Sequence, residues 1–349
     1  MTAADRTASP DGTGSGPLTI AQIAERAGVS VATVSKVVNG RADVSRATRS
    51  TVENVIRQHG YRRRKKAASP AALLELVFQT LSGVYANAVL QGVQTVARQH
   101  RLATVVSELR GQAPGYSWVE EVLARRPTGV ISVFTGPTDE EGHQLRSRGI
   151  PFVIIDPTGE PGHESPSVGA GNWSGGLSAT RHLLQLGHRR IAVITGPPHA
   201  LASRARLDGY RAALDTAGVP VDEALVRTGD FVVETGLRHT RDLLALDDPP
   251  TAVFASNDAQ ALGVYRAAAE AGLRIPHDLS VVGFDDLYPA EWTTPPLTTV
   301  RQPLMEMAAE AARMVVTLAR GEPLPHKRLE LTTELVVRDS TAPPPERRR

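Results

Sequence analysis

Short apolar runs alternate with longer amphipathic stretches through most of the chain after residue 72. The apolar runs are five to seven residues long and rich in Val and Ile, as is typical of strands. They predict strands at 73–79, 102–107, 129–134, 151–155, 190–195, 251–255 and 280–284. The stretches between them predict helices near 86–100, 116–126, 138–148, 173–186, 203–217, 233–246, 258–271 and 303–320. Because continuous apolar strands that alternate with helices are buried on both faces, the pattern predicts a doubly wound parallel α/β sheet.

This α/β region covers about 265 residues, which is more than a single hydrophobic core ordinarily holds. The sequence therefore predicts two lobes within a core at 73–338. We place 73–168 with 303–331 in one lobe, and 169–302 with 332–338 in the other.

The two ends and one linker have a different composition. Residues 1–17 are rich in Gly, Ser, Thr, Pro and Asp and are predicted to be disordered, as is the C-terminal tail 339–349. Residues 62–72 form a basic linker between a helical N-terminal region at 18–61 and the α/β core.

The N-terminal region has a purely helical pattern. Thr19 and Gln22 have the spacing of a capping box, which predicts that a helix begins there. The apolar stripe of this helix is Ile20, Ile23, Ala24 and Ala27. Gly28 can adopt the left-handed conformation that ends it.

Two further helices are predicted, one capped by Ser30 and one by Ser45. Their inward-facing residues are Val34, Val37, Val38, Val52, Val55 and Ile56. Two short helices joined by a turn that contains Gly, with a third helix as support, make a helix-turn-helix.

The second helix of such a motif enters the major groove of DNA. Its predicted outward residues are Val31, Ala32, Ser35 and Lys36. Val31 and Ala32 suit thymine methyl groups, Lys36 can donate to a guanine edge or a phosphate, and the hydroxyls of Thr33 and Ser35 suit phosphates. The alternative is a small three-helix module that uses Val31 and Ala32 to contact a protein partner.

The net charge of +2 hides an uneven distribution. Residues 1–70 hold 12 Lys and Arg against 5 Asp and Glu, whereas the rest of the chain holds 27 against 32. A basic head on an acidic body is typical of a DNA-binding module joined to a sensor or an enzyme, although a solvated basic tail would give the same charges. The predicted DNA contacts are Thr19, Ser30, Val31, Ala32, Thr33, Ser35, Lys36, Asn39, Arg62, Arg63, Arg64, Lys65 and Lys66, with Arg41, Arg46 and Arg49 nearby.

The stretch AGVSVATVSKVVNG closely resembles the signature of the LacI/GalR repressor family. Later segments resemble the core of the same family: GHRRIAVITGPP, SRARLDGYRAAL, TAVFASNDAQALGVYRAA, DLSVVGFDDL and PPLTTVRQP. The resemblance extends from Leu18 to Arg338. It implies a dimeric repressor whose core folds like a type I periplasmic sugar-binding protein, with a ligand between the lobes that changes operator affinity.

The linker departs from the family pattern. The family has a hinge that folds into a short helix on the operator, with a leucine that wedges into the minor groove. This chain has RRRKKAASPAA there, with Pro70 near the position of that leucine, and Pro disfavours a helix. We expect the basic residues 62–66 instead to follow phosphates or to enter a narrow minor groove as an extended arm.

A sugar site needs planar hydrogen-bonding partners and aromatic platforms at the strand ends that face a cleft. Polar residues do follow several of the predicted strands. The resemblance places Asp156, Arg204, Asn257 and Asp285 at sugar-contacting positions and Phe231 at a stacking position. The predicted ligand contacts are Phe78, Gln79, Tyr85, Asp156, Arg204, Phe231, Asn257, Asp285 and Trp292, and further aromatic candidates are Trp173 and Tyr288.

Several of these residues also have a structural interpretation. Asp258 and Asp286 suit helix caps as well as they suit a ligand. Phe78 lies inside an apolar run and Trp173 could also belong to a core.

Other chemistry finds little support in the sequence. The chain has no Cys, no histidine pair with metal-ligand spacing and no phosphate-binding loop, and GAGNWSGG at 169–176 has the wrong spacing for a dinucleotide. We therefore expect no metal, no cofactor and no enzymatic activity. No apolar run approaches the ~20 residues of a membrane span, and the start of the chain does not resemble an export signal, so a cytoplasmic protein is expected.

These observations predict a homodimer that binds a palindromic DNA operator and releases it when a small carbohydrate, a disaccharide or an oligosaccharide, binds between the lobes. Three alternatives stay open at this point. The ligand could be a corepressor or not a sugar, the protein could be an exported solute receptor, or two of the carboxylates could form a glycosidase pair.

Overall fold

The computed structural model describes residues 19–41, 44–59, 70–81, 83–109, 117–158 and 165–346. The predicted tail 1–17 and the basic residues of the predicted arm, Arg62, Arg63, Arg64, Lys65 and Lys66, lie outside the described residues.

The head consists of α1 (Ile20–Ala27), α2 (Val31–Val38) and α3 (Arg46–His59). Thr19 and Gln22 form the predicted capping box, because the Thr19 hydroxyl accepts from Gln22 N and the Gln22 side chain accepts from Thr19 N. Gly28 ends α1 at φ 65°, in the left-handed region.

Side-chain caps also begin the other two helices. Ser30 Oγ accepts from Thr33 N at 3.0 Å, and Ser45 Oγ accepts from Thr48 N at 3.1 Å. The three helices enclose a small core of Ile23, Ala24, Val34, Val37 and Val52. The predicted helix-turn-helix and its caps are confirmed.

Two six-stranded sheets form the rest of the chain. Their strands are β1 (Ala71–Phe78), β2 (Ala103–Glu108), β3 (Pro127–Val133), β4 (Phe152–Ile155), β5 (Ser167–Ala170), β6 (Ile191–Thr195), β7 (Val226–Thr228), β8 (Ala252–Ala255), β9 (Ser280–Asp285), β10 (Thr298–Arg301), β11 (Arg328–Leu331) and β12 (Glu334–Val336). The strand order is β11-β5-β4-β3-β1-β2 in the first sheet and β12-β10-β9-β8-β6-β7 in the second. The named strand pairs are parallel except β10 with β12, so the predicted doubly wound α/β class is confirmed.

Helices connect the strands in chain order. They are α4 (Gly83–Gln99), α5 (Trp118–Arg125), α6 (Asp139–Ser147), α7 (Asn172–Gln185), α8 (Leu201–Thr216), α9 (Val233–Leu244), α10 (Asp258–Glu270), α11 (Pro289–Trp292) and α12 (Leu304–Ala319). The predicted helices correspond to eight of these, and α11 was not predicted.

Each sheet belongs to a lobe with its own core. In the first lobe, α4 and α12 pack on the sheet through residues such as Val93, Met307 and Leu76. In the second, α7 and α8 cover one face, where Tyr210 and Phe284 are buried, and α9 and α10 cover the other.

The chain passes between the lobes at three places. It crosses from β5 to α7 at residues 171–172, returns from β10 to α12 at 302–303, and crosses again from β11 to β12 at 332–333. Two of these crossings touch, since Thr333 Oγ1 donates to the Gly171 carbonyl at 3.1 Å.

Five strands, β5, β7, β10, β11 and β12, were not predicted, and two boundaries differ from expectation. β1 begins at Ala71, so the linker ends at Pro70 rather than at residue 72. The predicted disorder of 339–349 is wrong for residues 339–342. Ser340 is fully buried, accepts from Thr298 N and donates to the Val281 carbonyl, which holds the segment against the second sheet.

Candidate functional site

One side of α2, which was predicted to contact DNA, is exposed to solvent. Val31, Ala32 and Lys36 are exposed, and the Val31 side chain is 52% accessible although it is apolar. Ser35 and Asn39 are partly buried, and Asn39 Nδ2 donates to the Ser35 carbonyl at 2.7 Å. The first turn of α2 therefore presents small apolar side chains to solvent.

The hydroxyls at the start of each helix act within the head. Thr19 belongs to the capping box of α1, and Ser30 caps α2 while its Oγ lies 2.9 Å from Thr33 Oγ1. Thr19 and Ser30, both predicted to contact DNA, therefore have hydrogen-bond partners within the head.

A second candidate site is a connected group of side chains at the carboxyl ends of strands from both sheets. We refer to it as the strand-end cluster; its members are Tyr85, Phe134, Asp156, Arg206, Phe231, Asn257 and Asp285. Ligands of open parallel sheets bind at this end of the strands.

Asp156 follows β4 and is buried. Its Oδ2 accepts from the Tyr85 hydroxyl at 2.5 Å. Burial raises the pKa of Asp156, while the Tyr85 hydrogen bond and the Arg206 charge act in the opposite direction. The pKa of Tyr85 is also raised, first by burial and then by the charge of Asp156, so the phenol stays a donor.

Arg206 supplies the positive charge from α8. It is 2% exposed, and its Nε donates to Asn172 Oδ1 at 2.8 Å. Its Nη1 donates to the Ser256 carbonyl and lies 3.7 Å from Asp285 Oδ1. The guanidinium also lies over the Phe284 ring, 3.7 Å from the ring centroid. Four contacts thus fix the orientation of one buried cation.

Close packing of α7 against α8 puts Asn172 beside this guanidinium. A Cβ on Gly176 would lie 2.3 Å from the Arg206 carbonyl oxygen. A residue larger than Gly at that position would force the two helices apart and separate Asn172 from Arg206.

Asp285 ends β9 and is also buried. Gln302 Nε2 donates to its Oδ1 at 2.5 Å. Burial raises the pKa of Asp285, and Arg206 and Gln302 oppose that rise.

Asn257 and Asp258 follow β8. Asn257 caps α10 by accepting from Gln260 N, and its Nδ2 donates to the Phe231 carbonyl at 3.0 Å. Asp258 accepts from Thr299 Oγ1 and from Leu287 N, which gives it a structural role at the start of α10.

Three aromatic rings form a row across the two lobes. The ring centroids are 5.0 Å apart for Tyr85 and Phe134, and 6.3 Å apart for Phe134 and Phe231. The Phe231 ring lies over Gly196, where a Cβ would be 2.1 Å from the ring. The row offers apolar surface next to the buried charges.

Backbone strain is concentrated at the same strand ends. Phe134, Asp156, Phe231, Asp285 and Asp286 have positive φ values although they are not glycine. Such conformations cost energy and accumulate at functional sites. Their clustering here independently indicates a site.

Some buried polar atoms near the cluster have no hydrogen-bond partner within the described residues. They are Ser203 Oγ, Ser256 Oγ and Gln302 Oε1. An unmet buried hydroxyl or amide costs free energy unless a ligand or water satisfies it.

Comparison with known proteins identifies the family. The model of the bacterial regulatory proteins of the lacI family matches residues 19–64, and a periplasmic binding protein-like domain matches residues 180–341. The transcriptional regulator CelR of Thermobifida fusca is 35% identical over 92% of this chain and 98% of its own length. The chain belongs to the LacI family.

Three further matches are one relative and two solved structures. The repressor CytR of Escherichia coli K12 is 30% identical over 93% of this chain and 96% of its own length. A solved structure described as a CelR–cellobiose complex has a TM-score of 0.72 and 34% identity, over 93% of this chain and 99% of that one. A lac repressor dimer bound to operator has a TM-score of 0.67 and 29% identity, over 94% and 100%.

The structure brings together five of the nine ligand contacts that were predicted from the LacI-family resemblance and the strand ends: Tyr85, Asp156, Phe231, Asn257 and Asp285. Arg204 is not among them. It is exposed on α8, and Arg206, two residues later, occupies the buried position. Helical phase could have found it, because Arg206 shares the inward stripe of α8 with Ser203 and Tyr210.

Three other predicted ligand contacts lie elsewhere. Phe78 is buried in the core of the first lobe, and Gln79 is exposed after β1. Trp292 is 74% exposed and contacts Tyr288 at a centroid distance of 4.8 Å, and Trp173 is also exposed. Conversely, sequence reasoning did not single out Phe134, Asn172 or Gln302.

Two absences hold for the described residues. No helix there has both the length and the apolar character to cross a bilayer. Nor do His, Asp and Glu side chains in that part of the chain gather in groups of three or more that could hold a metal ion.

Proposed function

We propose that this LacI-family chain represses transcription by binding a palindromic operator as a homodimer, and that a small carbohydrate between the lobes releases it. The single observation that carries the ligand proposal is the strand-end cluster, in which Asp156 of one lobe and Asp285 of the other flank the buried Arg206. Sugar hydroxyls both donate and accept, as this mixture of groups requires.

The aromatic row supports a carbohydrate in a second way. Tyr85, Phe134 and Phe231 present ring faces beside the carboxylates. Sugar rings have apolar faces that stack on such surfaces. The relatives are consistent with this chemistry, since one similar structure is described as a cellobiose complex and another as a ribose complex.

The DNA half of the proposal rests on α2 and on the basic arm. The exposed start of α2 would read base edges in the major groove, with Val31 and Ala32 on thymine methyls and Lys36 on a guanine or a phosphate. Arg62 to Lys66 would neutralise phosphates, which makes binding fall steeply as salt rises.

A gel-shift assay tests this proposal. The full chain at low ionic strength should retard a DNA fragment from the neighbourhood of its own gene, and cellobiose, another disaccharide or a simple sugar should reverse the shift. Failure to retard any such fragment would refute the DNA proposal. A saccharide that strengthens the shift would make the ligand a corepressor, and hydrolysis of the saccharide would make the protein an enzyme.

A further inference from the structure

The buried charges near the strand-end cluster are unequal in number and sign. Among the described residues, the buried carboxylates are Glu75, Asp156, Asp258 and Asp285, and Arg206 is the one buried Arg or Lys. Glu75 lies in β1 and pairs with Arg125 and Ser107, apart from the cluster. Three buried carboxylates therefore share a single buried guanidinium.

That guanidinium is already engaged. Arg206 donates to Asn172 and to the Ser256 carbonyl, faces Asp285, and lies over the Phe284 ring. To bind an anion it would have to give up contacts that hold Asp285 and Asn172 in place.

Two neighbouring arginines, Arg301 and Arg338, pair with Asp286. Arg301 Nε donates to Asp286 Oδ2 at 2.7 Å, and an Arg338 nitrogen lies 2.7 Å from Asp286 Oδ1. Both pairs neutralise Asp286, which is not part of the cluster.

Three of the buried polar atoms near the cluster that have no hydrogen-bond partner among the described residues are uncharged. They are Ser203 Oγ, Ser256 Oγ and Gln302 Oε1, and the two hydroxyls can donate or accept. Asp156 and Asp285 add carboxylate oxygens, which only accept while they are ionised.

We infer that this site selects neutral polyhydroxylated ligands and rejects their phosphorylated and carboxylated forms. An added anion would be desolvated next to carboxylates that outnumber their cation, whereas hydroxyl groups can donate to those carboxylates. Burial raises the pKa values of Asp156, Asp258 and Asp285, and neighbouring carboxylates add to the rise at Asp258 and Asp285. This inference rests on the proposed function, because it specifies the ligand of the same site.

Matched pairs of ligands test it with the full chain and without DNA. The pairs are D-glucose with D-glucose 6-phosphate, D-galactose with D-galacturonate, D-ribose with D-ribose 5-phosphate, and cellobiose with cellobiose 6-phosphate. Thermal shift finds the neutral sugars that bind, and titration calorimetry gives both affinities of a pair. We expect the anionic member of each binding pair to bind with about a hundredfold lower affinity, which corresponds to about 2.8 kcal/mol.

Two outcomes separate this inference from the proposed function. If an anionic sugar binds as tightly as its neutral partner or more tightly, the inference is wrong while the proposed function stands. If no saccharide of either kind binds, both are wrong.

Changing the charge of the cluster provides a second test. Asp156→Asn should weaken the binding of the neutral sugar. It should also reduce the difference in affinity between the neutral and the anionic member of a pair, because one negative charge is removed from the site. Asp208→Asn, an exposed substitution on α8, is the matched control and should leave the gap unchanged. An unchanged gap in a folded Asp156→Asn protein would contradict the electrostatic origin.

Discussion

The phenol of Tyr85 and the carboxylate of Asp156 are joined by a hydrogen bond of 2.5 Å, although 71 positions separate them in the sequence. The bond ties the first turn of α4 to the end of β4. It therefore connects two walls of the first lobe at the place where the proposed ligand would enter.

Removal of that donor should destabilise the protein. Tyr85→Phe leaves the buried Asp156 carboxylate with one donor fewer, which we expect to lower the free energy of unfolding by about 1–3 kcal/mol. Urea denaturation measures the change. Tyr288→Phe removes the hydroxyl of an exposed tyrosine and should stay within about 0.5 kcal/mol. Equal effects of the two substitutions would rule out a special role for this hydrogen bond.

The two arginines of α8 should behave differently. Arg206→Gln leaves Asp285 and Asp156 without their cation, so we expect a loss of about 3–5 kcal/mol in unfolding free energy and no thermal shift with saccharides. Arg204→Gln changes an exposed side chain and should leave both quantities close to those of the parent chain. If the thermal shift with saccharides is lost in Arg204→Gln and kept in Arg206→Gln, the ligand contact predicted for Arg204 would be correct.

Lys36 should affect DNA binding alone. Lys36→Ala is expected to weaken operator binding by about 1–3 kcal/mol if the ammonium contacts a base edge. A phosphate contact would instead lower the slope of log affinity against log salt by about one. Fluorescence anisotropy over a range of salt concentrations distinguishes the two, and the saccharide affinity should not change. Arg57→Ala, at an exposed position of α3, is the control. A larger loss of operator affinity in Arg57→Ala than in Lys36→Ala would show that α2 is not the main DNA contact.

Acidic pH should loosen the second lobe through His188. This fully buried side chain donates from Nε2 to the Ala342 carbonyl at 2.8 Å, and its Nδ1 lies 2.8 Å from Thr251 Oγ1. Burial lowers the pKa of His188 below its ordinary value of 6.5. As the pH falls below 6.5, the unfolded chain takes up a proton that the folded chain refuses, so stability falls, by at most about 1.4 kcal/mol per pH unit for this group.

Urea denaturation between pH 8 and pH 5 checks that sign. His188→Gln should flatten the acid slope, even though it lowers stability at neutral pH. His277→Gln is exposed and should keep the slope of the parent chain. A slope that His188→Gln leaves unchanged would exclude this histidine as its source, and would direct attention to His182, whose pKa burial also lowers.

The C-terminal segment should be part of the folded lobe. A chain that stops at Arg338 loses Ser340, which bonds Val281 twice and Thr298 once. At about 1 kcal/mol for each bond, the loss should reach roughly 3 kcal/mol. A chain that stops at Glu346 keeps these bonds and should match the full chain. Equal melting temperatures of the two truncations would contradict the docking of this segment.

The long helices and the central strands could be predicted because their apolar residues repeat over enough positions to show a period. β11 and β12 could not, since they are four and three residues long and neither contains a fully buried residue. β11 is a strand because it pairs with β5, which lies more than 150 residues earlier in the sequence. Such a strand is defined by its partner and not by its own composition.

The site was predictable in kind but not in every residue. Asp156, Asn257 and Asp285 could be predicted because they follow predicted strands, and ligands of parallel sheets bind at the carboxyl ends of the strands. Phe134 ends a predicted strand, and nothing in an apolar run shows that its φ is 54° or that its ring packs 5.0 Å from the ring of Tyr85. Gln302 was missed because β10 itself was not predicted.

The crossings between the lobes have a mechanical consequence. Asn172 and Gln302 lie on two of the three connecting segments, and they hold Arg206 and Asp285. The ligand proposed above would therefore contact charged groups that the connecting segments themselves hold, so a small displacement of either group would tilt one lobe against the other. A movement of this kind would not require a series of intermediate residues between the site and the rest of the lobe.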